Sequence, residues 1–176
     1  MKHTSKVALC GILAALSLIL MVMTAIPIAT YALPAMAGAV LIPVVMEAGV
    51  KWGWLAYAAV ALLSLLVAPD PEAKVLFITF FGYYPIAKSL LEKMKKRWLE
   101  WIVKLVIFNG TMVGSYLLTI FVFHLPTDFE LFGVSLPLVF LLIGNVIFVI
   151  YDLALTNVIT AYWYRLHPKL SRIFRH

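Results

Sequence analysis

Charged side chains and cysteine are both scarce in this chain of 176 residues. Only 12% of the residues are charged and 64% are hydrophobic, whereas soluble domains have about 25% charged and about 45–50% apolar residues. This composition excludes a water-soluble domain, a disordered chain and a nucleic-acid-binding domain. Cys10 is the single cysteine, so the chain forms no internal disulfide, and we expect no metal site.

The sequence also lacks the common catalytic motifs. It contains no His-Glu-x-x-His, no Gly-x-Ser-x-Gly, no Walker loop and no paired acids within an apolar run. We therefore expect a protein that is not an enzyme, with no catalytic residue and no cofactor. The missing nucleotide motif further predicts that this chain does not hydrolyse ATP itself.

Long uncharged apolar runs fill most of the sequence and predict a polytopic all-α membrane protein with a single domain, residues 1–176. A helix needs about 20 apolar residues to cross the hydrocarbon core. The first run is about twice that length, and Pro27 and Pro34 divide it because proline breaks a helix interior. Pro85 and Lys88 interrupt the fourth apolar segment. The runs predict six transmembrane helices, at about 6–26, 34–49, 52–69, 74–92, 99–123 and 135–163.

The basic residues predict that both termini are cytoplasmic. With six spans, 13 of the 14 Lys and Arg residues lie on one side, and Lys74 lies on the other. Short basic loops remain in the cytoplasm, and the basic loop at 93–97 would face outward if the fourth segment did not cross. The net charge of +6 is therefore mainly a topology signal in a multi-pass cell-membrane protein, with contact to anionic lipid as a by-product.

Asp152 lies near the middle of the sixth predicted span, where a carboxylate costs roughly 2.5–3.5 kcal/mol on insertion scales. It must therefore face protein or water. Lys104 enters the fifth span from the same side and reaches a comparable depth, so we predict a buried Lys104–Asp152 charge pair, direct or through water. The pair would serve as a lock between helices, as a coupling or gating element, or as a ligand contact.

Several other polar side chains are predicted near mid-membrane. Asn109, Asn145, Tyr83 and Tyr84 need partners, because unsatisfied amide and phenol groups in hydrocarbon are costly. Their partners are either neighbouring helices or a ligand. The second alternative predicts an outward-facing pocket between spans four, five and six for a small, flat, neutral molecule. Tyr31 in the first outer loop would be its lid, or an interfacial anchor.

The first span has an unusually small-sided face. Gly11 and Ala15 lie four residues apart on it, and small residues at this spacing let another helix approach closely. The partner helix belongs either to this chain or to another protein.

The segment from Lys6 to Ser17, Lys-Val-Ala-Leu-Cys-Gly-Ile-Leu-Ala-Ala-Leu-Ser, resembles the opening of the substrate-binding S component of energy-coupling factor transporters. Six short spans, cytoplasmic termini and a length near 180 residues are similar to that family as well. The resemblance implies an Ala-x-x-x-Ala docking face, which Gly11 and Ala15 fit with glycine in place of the first alanine.

The resemblance implies a function and a set of partners. The family captures vitamins or similar micronutrients outside bacterial or archaeal cells. It acts with a transmembrane coupling subunit and two cytoplasmic ATPase subunits, and the S component is thought to topple within the membrane lipid to deliver its cargo. The family's outer ligand site maps onto Tyr31, Thr79, Tyr83, Tyr84, Asn109, Tyr116 and Asn145.

Two other functions stay open from the residues alone. One is a six-span scaffold protein with no ligand pocket. The other is a stand-alone secondary carrier, channel or membrane enzyme that uses Asp152 and Lys104 as functional charges. A small molecule that co-purifies with the protein would favour the uptake component, and transport by this chain alone would favour a carrier.

Overall fold

The computed structural model describes residues 3–26, 29–123, 130–131, 134–165 and 167, and the side chains of residues 116 and 119–140 lie outside its described part. The described chain is helical apart from a pair of two-residue antiparallel strands, β1 (Glu130–Leu131) and β2 (Val134–Ser135). In chain order the helices are α1 (His3–Val22) with a 3-10 turn (Met23–Ala25), α2 (Ala32–Ala39), α3 (Ile42–Glu47), α4 (Val50–Val67), α5 (Pro71–Leu76), a π-helix (Phe77–Phe81), α6 (Tyr84–Leu91), α7 (Arg97–Phe123) and α8 (Leu136–Arg165).

Among the described residues, three helical stretches are long and apolar enough to cross a membrane: His3–Ala25, Val50–Val67 and Leu141–Arg165. They coincide with the first, third and sixth predicted spans. The predicted helical architecture is thus confirmed, and the three stretches indicate a membrane protein.

The second predicted span, 34–49, is not one helix. The structure breaks it between α2 and α3, with Pro43 in the first turn of α3. Proline has no backbone N–H, and its ring clashes with the carbonyl four residues earlier, so a continuous helix through Pro43 would be strained. Gly49, with φ of 100°, then makes the turn into α4, a conformation that favours glycine.

The fourth predicted span, 74–92, is broken as well, and it starts earlier than predicted. Asp70 caps α5 by accepting hydrogen bonds from the backbone N–H groups of Glu72 and Ala73, so the helix begins at Pro71, three residues before the predicted start at about 74. An aspartate cap followed by proline is a favourable helix start. Pro85 then starts a new helix, α6, because it cannot continue the preceding one.

The π-helix Phe77–Phe81 packs very closely against α2. A Cβ atom added to Gly38 would lie 2.0 Å from the carbonyl oxygen of Phe81, so only glycine permits this approach. The hydroxyl of Tyr57 donates a hydrogen bond to the carbonyl oxygen of Ile78 at 2.6 Å, which ties α4 to the same segment. Short π-helical turns are often found at functional sites.

Two buried clusters hold the helices together. The first joins α1, α2, α3 and α4 to the fourth segment and includes Met21 and Phe77. The second is aromatic and connects the π-helix to α7 and α8, where Phe108 and Phe148 stack at 4.7 Å and Phe80 meets both rings edge-on. Aromatic rings bury large areas and favour stacked and edge-on arrangements such as these.

Candidate functional site

Asp152 of α8 is the centre of a buried polar site. Tyr84 donates a hydrogen bond to its Oδ1 at 2.6 Å, Lys88 donates to the same oxygen at 2.6 Å, and Lys104 donates to Oδ2 at 3.1 Å. The structure therefore brings Lys104 and Asp152 together in the charge pair that the sequence analysis predicted. It adds Lys88, and it places Tyr84 here although the sequence interpretation assigned Tyr84 to the ligand pocket.

Two glutamates complete this site at one end. Glu92 pairs with Lys88 at 2.8 Å and lies 3.9 Å from Lys104, and Glu100 pairs with Lys104 at 2.7 Å. The Lys104 ammonium also lies 5.2 Å from the centre of the Trp101 ring. Three carboxylates thus face two ammonium groups, a formal charge of −1 when all five are ionised. The charge network, as named below, consists of Tyr84, Lys88, Glu92, Glu100, Lys104 and Asp152.

Helical spacing explains how local sequence builds this network. Tyr84, Lys88 and Glu92 are separated by four residues each, and so are Glu100 and Lys104, so each set lies along one helix face. The Lys88 side chain is fully buried, whereas that of Glu92 is 38% exposed, so the network extends from the protein interior to the surface. The sequence interpretation placed Lys88 at helical spacing from Tyr84 but did not pair it with Asp152 or Glu92.

Asn109 of α7 and Asn145 of α8 form a reciprocal carboxamide pair. Each Nδ2 donates to the Oδ1 of the other, at 2.9 and 3.0 Å. The second amide hydrogens are donated to the backbone carbonyls of Leu105 and Leu141, at 2.8 and 2.7 Å. All four amide donors are therefore used between and within the two helices, which is the helix-to-helix alternative of the sequence analysis.

The other predicted pocket residues have separate surroundings. Thr79 donates to the backbone carbonyl of Val75 at 2.7 Å. Tyr83 stacks on Trp54, with ring centres 6.3 Å apart and an interplanar angle of 11°. The side chain of Tyr116 lies outside the described residues. Neither of these two contacts joins Thr79 or Tyr83 to the carboxamide pair.

Tyr31 connects the start of α2 to the start of α5. Its side chain is 61% exposed, and its hydroxyl donates a hydrogen bond to Oε1 of Glu72 at 2.7 Å. Partial burial of the ring, followed by this hydrogen bond, raises the pKa of Tyr31 to about 12. Tyr31 thus bridges two helix starts, a position compatible with either a lid or an anchor.

The small-sided face of α1 is open. Gly11 and Ala15 are both exposed, and a Cβ atom added to Gly11 would have no described atom within 4 Å. The opposite face is buried through Leu9, Ser17 and Met21, where α1 packs against α4 and α2. No described atom of this chain therefore fills the space over Gly11.

None of the seven predicted ligand residues lines either of two cavities in the described structure. One is a groove of about 250 Å³ between α1 and α4 that includes Gly11. The other, of about 710 Å³, lies between α1, α2–α3 and α8. Of the seven, Tyr116 is the one whose side chain lies outside the described part. Among the described residues, no group of three His, Cys, Asp or Glu side chains could hold a metal ion.

Besides the charge network and the carboxamide pair, the structure contains a third polar contact, which the sequence analysis did not predict. Glu47, at the end of α3, accepts a hydrogen bond from the Tyr162 hydroxyl at 3.0 Å, and Nδ1 of His167 lies 2.7 Å from the same carboxylate oxygen. These residues are more than a hundred positions apart in sequence, so no local pattern links them. The contact fastens the end of α8 to α3.

Comparisons of the chain with models of known protein families, with curated proteins and with solved structures find no match.

Proposed function

We propose that this chain is the substrate-capture S component of an energy-coupling factor uptake transporter for a vitamin or similar micronutrient. The observation that carries the proposal is the open small-residue face of α1. Gly11 and Ala15 are exposed while the opposite side of the same helix is packed. An exposed face of this kind suits close docking of a second helix, here one from a transmembrane coupling subunit that works with two cytoplasmic ATPase subunits.

The proposal includes six membrane spans with both termini in the cytoplasm. The broken segments α2–α3 and α5–α6, together with α7, are the three further spans. The turn between α6 and α7 supports this topology, because Lys93, Lys95, Lys96 and Arg97 are all exposed there, and short basic loops remain cytoplasmic. This arrangement puts the protein in the bacterial or archaeal plasma membrane.

The proposed ligand site lies in the outer half of the fourth, fifth and sixth segments, with Tyr31 at its mouth. The carboxamide pair of Asn109 and Asn145 closes its inner end. Because all four amide donors of the pair are used, a ligand that hydrogen-bonds to these amides has to open the pair.

Docking is tested by co-expressing the chain with the coupling and ATPase subunits encoded in the same genome and measuring the purified complex. Gly11→Leu or Ala15→Leu should abolish complex formation, while the melting temperature of the isolated chain stays unchanged. Ala58→Leu is the matched control, because Ala58 is exposed on α4, and it should leave the complex intact. Assembly of the Gly11→Leu and Ala15→Leu variants at the wild-type level would refute the docking face.

Ligand capture is tested on protein purified from rich medium. Mass spectrometry of the released small molecules should find a stoichiometric micronutrient, and the same compound should raise the melting temperature of ligand-free protein. If no compound is found and a vitamin panel gives no thermal shift, the capture proposal fails. Uptake into liposomes by the chain alone would indicate a secondary carrier.

A structural scaffold is the second candidate function, and the carboxamide pair favours it. A pair whose amide donors are all satisfied between two helices stabilises packing and leaves no donor for a ligand. The scaffold candidate predicts that no ligand is found by either assay above, whereas the docking face of α1 still binds a partner protein. Binding of a micronutrient would exclude it.

A further inference from the structure

The groove of about 710 Å³ between α1, α2–α3 and α8 has the chemistry of a lipid site. Its walls are almost entirely apolar, with Leu13 and Leu16 from α1 and Val158 from α8, and Arg165 is the one charged residue among those that line it. Apolar walls favour a hydrocarbon chain, and the cation at one end adds a requirement for an anionic group.

Arg165 is the polar lining residue of the groove that would bind an anionic group. The hydroxyl of Tyr162, a second lining residue, is already bonded to Glu47 at 3.0 Å, and that carboxylate is also in contact with His167 at 2.7 Å. Arg165 is exposed and takes part in none of the ion pairs formed by the described residues. Since none of these ion pairs engages its guanidinium, this group can form the two parallel hydrogen bonds that a phosphate accepts.

The dimensions of the groove fit one leaflet. Val158 and Arg165 lie seven residues apart, which is roughly 10 Å along the helix at about 1.5 Å per residue. Half of a hydrocarbon core is about 15 Å thick. A chain seated between α1 and α8 therefore ends at Arg165, where a headgroup would lie at the membrane surface.

We propose that this groove binds an acyl chain of an anionic phospholipid from the surrounding membrane, with the lipid phosphate on Arg165. The proposed topology puts this site in the cytoplasmic leaflet, where basic pockets between membrane helices bind anionic headgroups. The leaflet assignment rests on the proposed function and its topology, whereas the binding chemistry depends only on the groove and its cation.

The test uses native mass spectrometry of the purified full chain with phosphatidylglycerol or phosphatidylcholine of identical acyl chains. The wild-type protein should retain one phosphatidylglycerol about fivefold better than phosphatidylcholine, as expected from roughly 1 kcal/mol per basic residue at an anionic surface. Arg165→Gln should remove this preference. Arg97→Gln is the control, because Arg97 is an exposed cation that does not line the groove, and it should keep the preference.

A second variant tests the groove itself. Ala161 lines it and is exposed, so Ala161→Phe should fill the space and lower the retention of phosphatidylglycerol while Arg165 remains. Equal retention of the two lipids by the wild type, an unchanged preference in Arg165→Gln, or full retention in Ala161→Phe would each overturn the proposal. So would a dimer of this chain that dissociates on Ala161→Phe and binds no lipid. Failure of the docking or ligand assays leaves these results unaffected, so the two proposals can fail separately.

Discussion

Replacing Asp152 with asparagine is the sharpest test of the charge network. In the wild type, two ammonium groups face three carboxylates, and the side chains of Lys88 and Asp152 are 0% and 3% exposed. Removing one partner of a buried ion pair costs about 3–5 kcal/mol, because the other charge is left uncompensated. After Asp152→Asn, Lys88 keeps Glu92 at 2.8 Å and Lys104 keeps Glu100 at 2.7 Å, so we expect a loss near the lower limit, about 3 kcal/mol.

Removing the cation instead of the anion should lower the free energy of unfolding by more. Lys88→Met removes a cation and takes the formal charge of the network from −1 to −2, so we expect a loss of about 4–5 kcal/mol. The double variant should lose at least about 1 kcal/mol less than the sum of the two single losses, because the two residues are in direct contact. Glu92→Gln is the control: its side chain is 38% exposed, and the expected loss is below about 1 kcal/mol.

The measurement is the free energy of unfolding from reversible denaturation in mixed detergent micelles. Two results would contradict the reasoning: a loss below about 1 kcal/mol for Asp152→Asn, or a smaller loss for Lys88→Met than for Asp152→Asn. A normal free energy of unfolding with lost transport in a reconstituted complex would instead give Asp152 a coupling role.

The remaining predictions use the same denaturation assay. Gly38→Ala should lower the free energy of unfolding by about 1–3 kcal/mol, because the added Cβ would lie 2.0 Å from the backbone oxygen of Phe81. Gly110→Ala is the control and should not lower it, because no described atom lies within 4 Å of the added Cβ. Asn109→Leu should cost about 1–3 kcal/mol, because Asn145 then loses its partner. The double variant with both amides replaced by leucine should cost less than twice that amount, and additive losses would show that the pair does not act as one unit.

Local sequence predicted the features that depend on neighbouring residues. Runs such as Val50–Val67 and the last span are apolar enough to indicate membrane helices, and the structure has helices there. The helix breaks at Pro43 and Pro85 were also predictable, because proline disrupts the helical turn in which it lies. The sequence interpretation did not use Pro43 and therefore predicted one helix over 34–49.

The sequence predicted an interior polar contact only where a charged residue lies within a predicted span. Asp152 had to face protein or water, and Lys104 was proposed as its partner because both lie at a comparable depth. Lys88 was missed although it has the same requirement. For the carboxamides, the sequence left two alternatives, a ligand or a neighbouring helix, because an amide accepts either partner equally well.

The sequence by itself determined that this protein is helical, with apolar segments that indicate a membrane location, because apolar composition and the scarcity of charge act along each segment regardless of its neighbours. Only the tertiary structure decided which polar groups meet. Tyr84 and Asp152 are 68 positions apart, and Glu47 and His167 are 120 apart. No periodicity connects positions so distant in the chain, so their pairing depends on how the helices pack.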